Sequence, residues 1–569
     1  MGEESGYVRF EQQEDAQKAL AAAGEGDLVV KDCIMCMELV TEKQAVEPVA
    51  EKMGNFLLFS LTISGVLLLS LIYRFFYVFW WKPMKHGRYL NDQGIKGPPY
   101  KLVVGNITED FRLRNEVQLK PMDLSHGIVP RVLPFQYRTF KTYGKISMTW
   151  VGANPRVSIM DPELIREVLS NKSGCFENTQ LSPLLKVVVT GLAAHVGEKW
   201  AKHRRIINPA FHQEKLKRML PAFLTSCCEL ISRWEKSVGS EGSCELDVWP
   251  EFQNFTGDVI SRTAFGSSYK QGMRIFQLQT EQARLIIKSV KSMVIPCYRF
   301  LPIRVNRRRN EIDKEVRALL KGMIMERERE MKVGNVSDDD LLGLLMESNF
   351  KDFQEQESSN ATAMTIEEVI EECKLFYFAG QETTAILLTW TMVVLSMHPN
   401  WQVRAREEVL QVFGKTNPDF DGLSRLKIVT MILYEVLRLY PPAALTARRV
   451  DKATKLGDII LPPGAQVSLP VLLMHHDPEI WGEDVEEFKP ERFSGGVSKA
   501  SKNQIVFFPF GWGPRICIGQ NFAMIEARVA LAIILKHFSF ELSPSYAHAP
   551  CGGITLQPQH GAQIILHRL

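Results

Sequence analysis

Phe510-Gly511-Trp512-Gly513-Pro514-Arg515-Ile516-Cys517-Ile518-Gly519 sets one cysteine in a glycine-rich loop, and a helical pattern runs from Gln520 to His537 directly after it. A cysteine so placed can act as a metal thiolate. Glycines at 513 and 519 let the backbone turn tightly round the sulfur and aim N–H groups at it, and such donors tune a bound metal. The helix that follows presents its positive end to the sulfur and favours the ionised form. Arg515 is expected to pair with a carboxylate of the cofactor that carries the metal, and Phe510 to shield the sulfur from water. A nucleotide-binding loop is excluded, because Ile516 stands where the third glycine of that motif is needed.

This cysteine loop resembles that of the cytochrome P-450 superfamily, which has the form Phe-x-x-Gly-x-Arg-x-Cys-x-Gly. The resemblance implies a mainly α fold with small β-sheets, haem b with Cys517 as iron ligand, and insertion of one atom of O2 into a substrate C–H bond. Ala379-Gly380-Gln381-Glu382-Thr383-Thr384 resembles the oxygen-binding groove of that family. A glycine in a helix interior costs about 1 kcal/mol, and room for a diatomic ligand is one reason to keep it. Thr383 is then expected to hydrogen-bond the distal oxygen, and Glu382 to connect solvent protons to it. Glu435 and Arg438, three apart on a helix, with Arg492 in Phe488-Lys489-Pro490-Glu491-Arg492-Phe493, match the family's buried triad, a structural role. Trp200-x-x-x-Arg204 matches a propionate-binding pair, and both side chains are pure donors suited to a carboxylate. Arg449 matches another propionate partner, with Arg448 adjacent as the alternative. Gly519 closes the cofactor loop.

No flavin or nicotinamide fingerprint occurs in the sequence, so a separate NADPH-dependent reductase is implied. The basic cluster Lys199, Lys202, Arg204, Arg205, Lys215, Lys217 and Arg218 offers a docking surface for it. His203-Arg204-Arg205-Ile206-Ile207-Asn208-Pro209-Ala210-Phe211, Phe508-Pro509-Phe510-Gly511-Trp512-Gly513 and Ser543-Pro544-Ser545-Tyr546-Ala547-His548-Ala549-Pro550 resemble the plant clan that holds secologanin synthase and several triterpenoid oxidases. That implies a small hydrophobic, terpenoid-like substrate, with pocket walls from Cys175 to His195, Pro442 to Thr446 and Gly552 to Thr555. A haem-thiolate isomerase or dehydratase is the competing enzyme reading. Such enzymes tend to lose the groove threonine, and Thr383 is present.

The elements that must position these residues are legible in outline. The 569 residues carry 68 basic and 65 acidic side chains, a formal net charge of +3, which gives no overall reason to expect nucleic acid as a partner. Ten thinly spread cysteines point to a reducing compartment. Phe56 to Tyr73 holds eighteen uncharged residues, about 27 Å as a helix, followed by Arg74 and an aromatic run to Trp81. The spacing predicts a transmembrane anchor over 55–81 and a basic, proline-containing linker over 82–100. Lys82, Lys85 and Arg88 then place the domain 101–569 on the cytosolic side of the endoplasmic reticulum membrane.

Residues 1–52 differ from the rest in holding twelve acidic and five basic side chains. Tyr7, Phe10, an alanine-rich helical stretch from Glu14 to Ala23 and a β-like run from Leu28 to Leu39 resemble the second half of an RNA-recognition motif. Half a sheet cannot bury its own face. The expectation is a fused or mis-started gene, with Met53 as the natural start. Cys33-x-x-Cys36 lacks a second ligand pair and is read as strand, not zinc. Strands are expected near Ile146–Val151, Arg156–Ile159, Val467–Leu472 and Gln563–Leu566. Gly334 to Thr362 reads as a polar surface loop round one short helix. Thr365-x-x-Glu368 has capping-box spacing, and no proline follows until Pro399, so a helix of about thirty residues is predicted.

Overall fold

The computed structural model describes residues 18, 29–30, 33–34, 42–179, 185–266, 269–289, 298, 301–333, 340–354, 364–502 and 504–569. Its internal contacts divide it into two units, Met1–Val78 and Phe79–Leu569. In the first, Val29–Val30 pairs antiparallel with Cys33–Ile34, and the helix Glu42–Phe76 follows. Tyr7, Phe10, Cys36 and nearly all of Glu14–Ala23 lie outside the described residues. The stretch Leu58–Asn91 is long and apolar enough to cross a membrane, with a mean hydropathy of 1.8, and Leu58, Leu61, Leu69 and Leu71 lie exposed. A leucine-covered helix without a protein partner buries its apolar surface in lipid. The helical run ends at Asn91, before Lys96-Gly97-Pro98-Pro99, the segment expected to end it.

The second unit is mainly helical with small sheets, as the sequence implies. Two elements matter most. The groove helix, Ile366–Met397, begins with a full capping box: the Glu368 N–H donates to Thr365 Oγ1 at 3.2 Å and the Thr365 N–H to Glu368 Oε2 at 3.0 Å. Nothing in its sequence interrupts it before His398, so its 32 residues cross the whole domain, about 48 Å at the helical rise. The cysteine helix, Gln520–His537, occupies the predicted span and is apolar on nearly all sides because it is packed on nearly all sides.

A five-stranded sheet runs in the order Ile146–Val151, Asn154–Ile159, Gln466–Leu469, Thr446–Val450, Phe176–Asn178, with one parallel pairing, between Gln466–Leu469 and Asn154–Ile159. The strand expected over Val467–Leu472 stops at Leu469. Pro470 cannot donate to the ladder, and Val471–His475 coils into a helix instead. A three-stranded sheet joins Phe538–Leu542, Gln563–Arg568 and Ser243–Asp247, and the C-terminal hairpin pairs Pro550–Gly552 with Leu556–Pro558. Between Gly334 and Thr362 the described part is the helix Leu341–Gln354, beginning just after Asp340.

One part of the core is polar. His126 Nδ1 lies 2.8 Å from the Tyr440 hydroxyl and its Nε2 lies 2.9 Å from His398 Nε2. His548 bridges the Tyr546 hydroxyl and the Ser125 carbonyl, and Tyr440 stacks on Trp390 at 4.6 Å. Burial, reinforced by neighbouring histidines and Arg438, pushes His126 and His475 down to about 3, and burial pushes His548 down to about 4. These rings are neutral when folded, whereas the unfolded chain takes up protons below its ordinary value near 6.5. Stability is therefore fully present above that pH and lost as pH falls toward the folded values. At about pH 5.5 each such ring costs the folded state about 1.4 kcal/mol. Thermal unfolding followed by circular dichroism is expected to show a steep loss of Tm between about pH 6.5 and 5, and His126→Asn is expected to flatten that slope.

Candidate functional site

Gly511 and Gly513 carry φ of +71° and +75°, the left-handed region that favours glycine. At Gly513 a Cβ would also collide with the Leu169 carbonyl oxygen. Gly519 differs from the expectation. Its φ is −89° and an added Cβ would sit 4.0 Å from Cys517 Sγ, an ordinary contact, so no tight turn requires glycine there. Its part is its backbone N–H, which points at the sulfur from the start of the cysteine helix. The loop closes on itself through the Cys517 N–H donating to the Phe510 carbonyl at 2.8 Å. The Phe510 ring packs against the core.

Burial pushes the Cys517 thiol up, and the Gly519 N–H and the Arg204 charge pull against that. The residue nevertheless keeps accessible surface. A sulfur deep in a domain yet accessible faces an internal space. Arg204, on the helix Gly197–Ile207, donates to the Ile516 carbonyl at 2.9 Å, one residue from the cysteine. Arg515 donates to the His195 carbonyl and to Glu177, each at 3.0 Å, and its guanidinium lies 4.5 Å over the Trp200 ring. Trp200, Arg448, Pro514, Arg515 and Glu177 line one cavity. Arg448 and Arg449 point to opposite faces of the strand Thr446–Val450. Arg448 joins that cavity, while Arg449 pairs with Asp451 at 2.8 Å. Glu177 was not legible in the sequence. It sits opposite Arg449 in the sheet register, and no local pattern marks it.

In the groove helix the residues around the middle turn are buried, but Ala379, Gly380 and Thr383 keep accessible surface. Residues 379 and 383 are one turn apart, so one side of the helix is open at mid-length. Thr383 Oγ1 donates to the Ala379 carbonyl at 2.8 Å, which leaves its lone pairs to accept. Gly380 has a different reason from the expected one. A Cβ would lie 2.7 Å from the Ile260 side chain, so glycine lets the helix Val248–Phe265 approach closely. Glu382 is buried rather than solvent-facing. It accepts from Gln253 Nε2 at 3.3 Å, from Thr555 Oγ1 at 2.9 Å and from Gln557 Nε2.

The triad is formed as implied. Glu435 and Arg438 are wholly buried in a two-pronged pair at 2.7 and 2.8 Å, and Arg492 Nε lies 3.5 Å from Glu435. Arg438 also donates to the carbonyls of His475 and Val485. The His475 ring accepts from the Phe508 N–H at 3.3 Å, and the Phe508 carbonyl accepts from the Gly511 N–H at 2.9 Å. The pair is thereby linked to the cysteine loop. Two further contacts were missed from sequence. His203 Nδ1 lies 2.6 Å from Glu372, tying the helix Gly197–Ile207 to the groove helix. Glu526 of the cysteine helix is a fully buried carboxyl beside Thr384, and burial pushes its pKa well up.

A buried, accessible cysteine sulfur at a helix start, with Trp200, Arg204 and Arg515 as pure donors beside it, fits iron protoporphyrin. The sulfur would ligate the metal and the donors would suit its two propionates. Set against a long helix with an open middle, this defines a haem-thiolate oxygenase. A family model described as Cytochrome P450 matches residues 132–563, and the chain belongs to that family. It is 62% identical over 491 residues to Cytochrome P450 CYP72A616 of Paris polyphylla, covering 86% of this chain and 95% of that protein. Over 513 residues it is 52% identical to Cytochrome P450 72A15 of Arabidopsis thaliana, covering 90% and 99%. Over 493 residues it is 54% identical to the 11-oxo-beta-amyrin 30-oxidase of Glycyrrhiza uralensis, covering 86% and 94%. The protein is a monooxygenase with haem as cofactor and NADPH, through a reductase, as electron source.

The two loop glycines differ in a way that can be measured. Gly513→Ala meets both a left-handed backbone, at about 1–2 kcal/mol, and the Leu169 carbonyl, and is expected to abolish haem incorporation. Gly519→Ala meets neither and is expected to retain the cofactor's absorbance.

Proposed function

We propose that this chain is an endoplasmic reticulum monooxygenase that oxidises a terpenoid-like small molecule, with Cys517 as iron ligand. The observation that carries the reading is the Cys517 sulfur, deep in the domain, still accessible, and met by the Gly519 N–H and the Arg204 charge. Haem, when bound, activates O2 and inserts one of its atoms into a C–H bond. The chain's own residues supply the rest. Trp200, Arg204, Arg515 and, of the adjacent arginines, Arg448 rather than Arg449 would hold the propionates, Phe510 packs the loop against the core, and Gly519 donates to the sulfur. Thr383 offers a hydrogen bond at the open turn of the groove helix, and Glu382 holds protons behind it. A terpenoid substrate is supported by the likeness to the Glycyrrhiza uralensis oxidase, whose name gives 11-oxo-beta-amyrin as its substrate.

The exposed leucines from Leu58 onward support a single-pass anchor over 55–81, with 82–100 as linker and the domain 101–569 in the cytosol, where Lys82, Lys85 and Arg88 would keep it. The extension 1–52 stands apart in composition from the rest of the chain. Of the basic cluster, Arg204 turns inward to the cysteine loop, and Lys199 pairs with Glu368 at 2.7 Å. Arg205, Lys217 and Arg218 are exposed and Lys202 and Lys215 half-buried, and together they offer the docking surface toward the NADPH-cytochrome P-450 reductase.

Cys517→Ala is expected to remove the reduced carbon-monoxide difference spectrum of a thiolate-ligated haem. Thr383→Ala is expected to keep that spectrum while diverting NADPH from product to peroxide, and unchanged coupling in an NADPH-dependent terpenoid screen would defeat that role. Charge reversal at Lys202 and Arg205 is expected to slow reductase-supported turnover and weaken its dependence on salt. Turnover with the wild-type salt profile would place the docking surface elsewhere.

A further inference from the structure

Glu382 sits beside the open turn of the groove helix, yet none of the donors that hold its carboxylate belongs to that helix. Oε1 receives the Thr555 hydroxyl at 2.9 Å and the Gln557 amide, and Oε2 receives Gln253 at 3.3 Å. The Gln557 amide also donates to Thr555 Oγ1 at 3.3 Å, so the two hairpin residues brace each other.

The hairpin that carries them is fixed from both sides. The Leu556 N–H donates to the Pro442 carbonyl at 3.0 Å, and its carbonyl accepts from Trp390 Nε1 of the groove helix at 3.0 Å. At Gly552 a Cβ would meet the Val132 carbonyl at 2.9 Å, so the hairpin lies tightly against its neighbour. Gln253 is fixed as well, its carbonyl accepting from Gln381 at 3.1 Å. A buried carboxylate with three donors is held by charge-assisted hydrogen bonds, and loss of one lets it reorient. The Thr555 hydroxyl and the Gln557 amide meet the same carboxylate oxygen, so the pair sets its direction.

We infer that Thr555 and Gln557 are positioning residues for proton delivery: together they fix the angle of the Glu382 carboxylate. This rests on the reading of Glu382 as the proton donor behind the groove. The balance of the reaction makes the inference measurable without knowing the substrate. In oxygenation, RH, O2, two protons and two electrons give ROH and water, the electrons coming from NADPH through the reductase. With no substrate bound, O2 takes two electrons and two protons to leave as hydrogen peroxide, consuming one NADPH. If protons arrive promptly, O2 instead takes four of each and leaves as two waters, consuming two NADPH. The share of peroxide therefore reads proton delivery directly.

The test uses the full haem-loaded chain with reductase, NADPH and O2, and compares wild type with Gln557→Leu, Gln557→Asn, Thr555→Val and Thr555→Ser. All are checked for the thiolate-type carbon-monoxide spectrum. Expected are a shift of oxygen consumption from water to peroxide by roughly tenfold in Gln557→Leu and Thr555→Val, a smaller shift in Gln557→Asn, and wild-type behaviour in Thr555→Ser, which keeps the hydroxyl. The gentler pair keeps the comparison available should the bulkier replacements not fold. A Glu382→Gln control separates the two ideas. If Glu382→Gln raises peroxide but the hairpin variants match wild type, the hairpin inference is overturned and the role of Glu382 stands. If Glu382→Gln itself leaves the water-to-peroxide ratio unchanged, the proton-donor reading falls and takes this inference with it.

Discussion

The Glu435–Arg438 pair is the constraint on which the site depends. Both side chains are fully buried, and such a pair is tolerated only when nearly every donor is satisfied. Arg438 meets that demand with the Glu435 carboxylate and the carbonyls of His475, Val485 and Glu487. These carbonyls belong to the segment that leads into the cysteine loop. From His475 the linkage continues to the Phe508 N–H and from there to the loop that ends at Cys517. Moving the sulfur would pull partners from a buried charge, at a cost of several kcal/mol. The loop is thus held by a charge on the helix Lys427–Leu439.

The groove helix is held as firmly, from several directions. Its first turn is capped by its own sequence, Glu372 is gripped by His203, Gly380 receives Ile260, and Trp390 reaches the C-terminal hairpin. Glu526 of the cysteine helix lies buried beside Thr384. An oxygenase needs this rigidity, because an electron spent on misplaced oxygen ends as peroxide instead of product. At mid-length the turn around Phe378, Ala379, Gly380 and Thr383 keeps accessible surface, which is where the proposed oxygen chemistry would take place.

What local pattern dictates was legible in the residues. The capping box and the absence of proline gave the groove helix nearly its full length. The uncharged run from Phe56 gave the membrane-length helix, and the loop glycines gave the position of the sulfur. Gln466–Leu469 and Ile146–Val151 follow from alternation and β-branched residues, with Pro470 ending the first where the apolar run alone suggested three residues more. Glu177, His203, Glu372, Gln557 and Glu526 carry no such signal, because each acts on a residue tens to hundreds of positions away.

The sequence by itself determined the candidate sulfur, the class of chemistry and the order of helices, since these rest on spacings within one turn or one loop, where neighbours in the chain are neighbours in space. Only the tertiary structure decided which arginine faces the cofactor cavity, why Gly380 must be glycine and what grips Glu382. Those depend on which surfaces meet after the chain has crossed itself, and on the expense of leaving a buried charge or N–H without a partner.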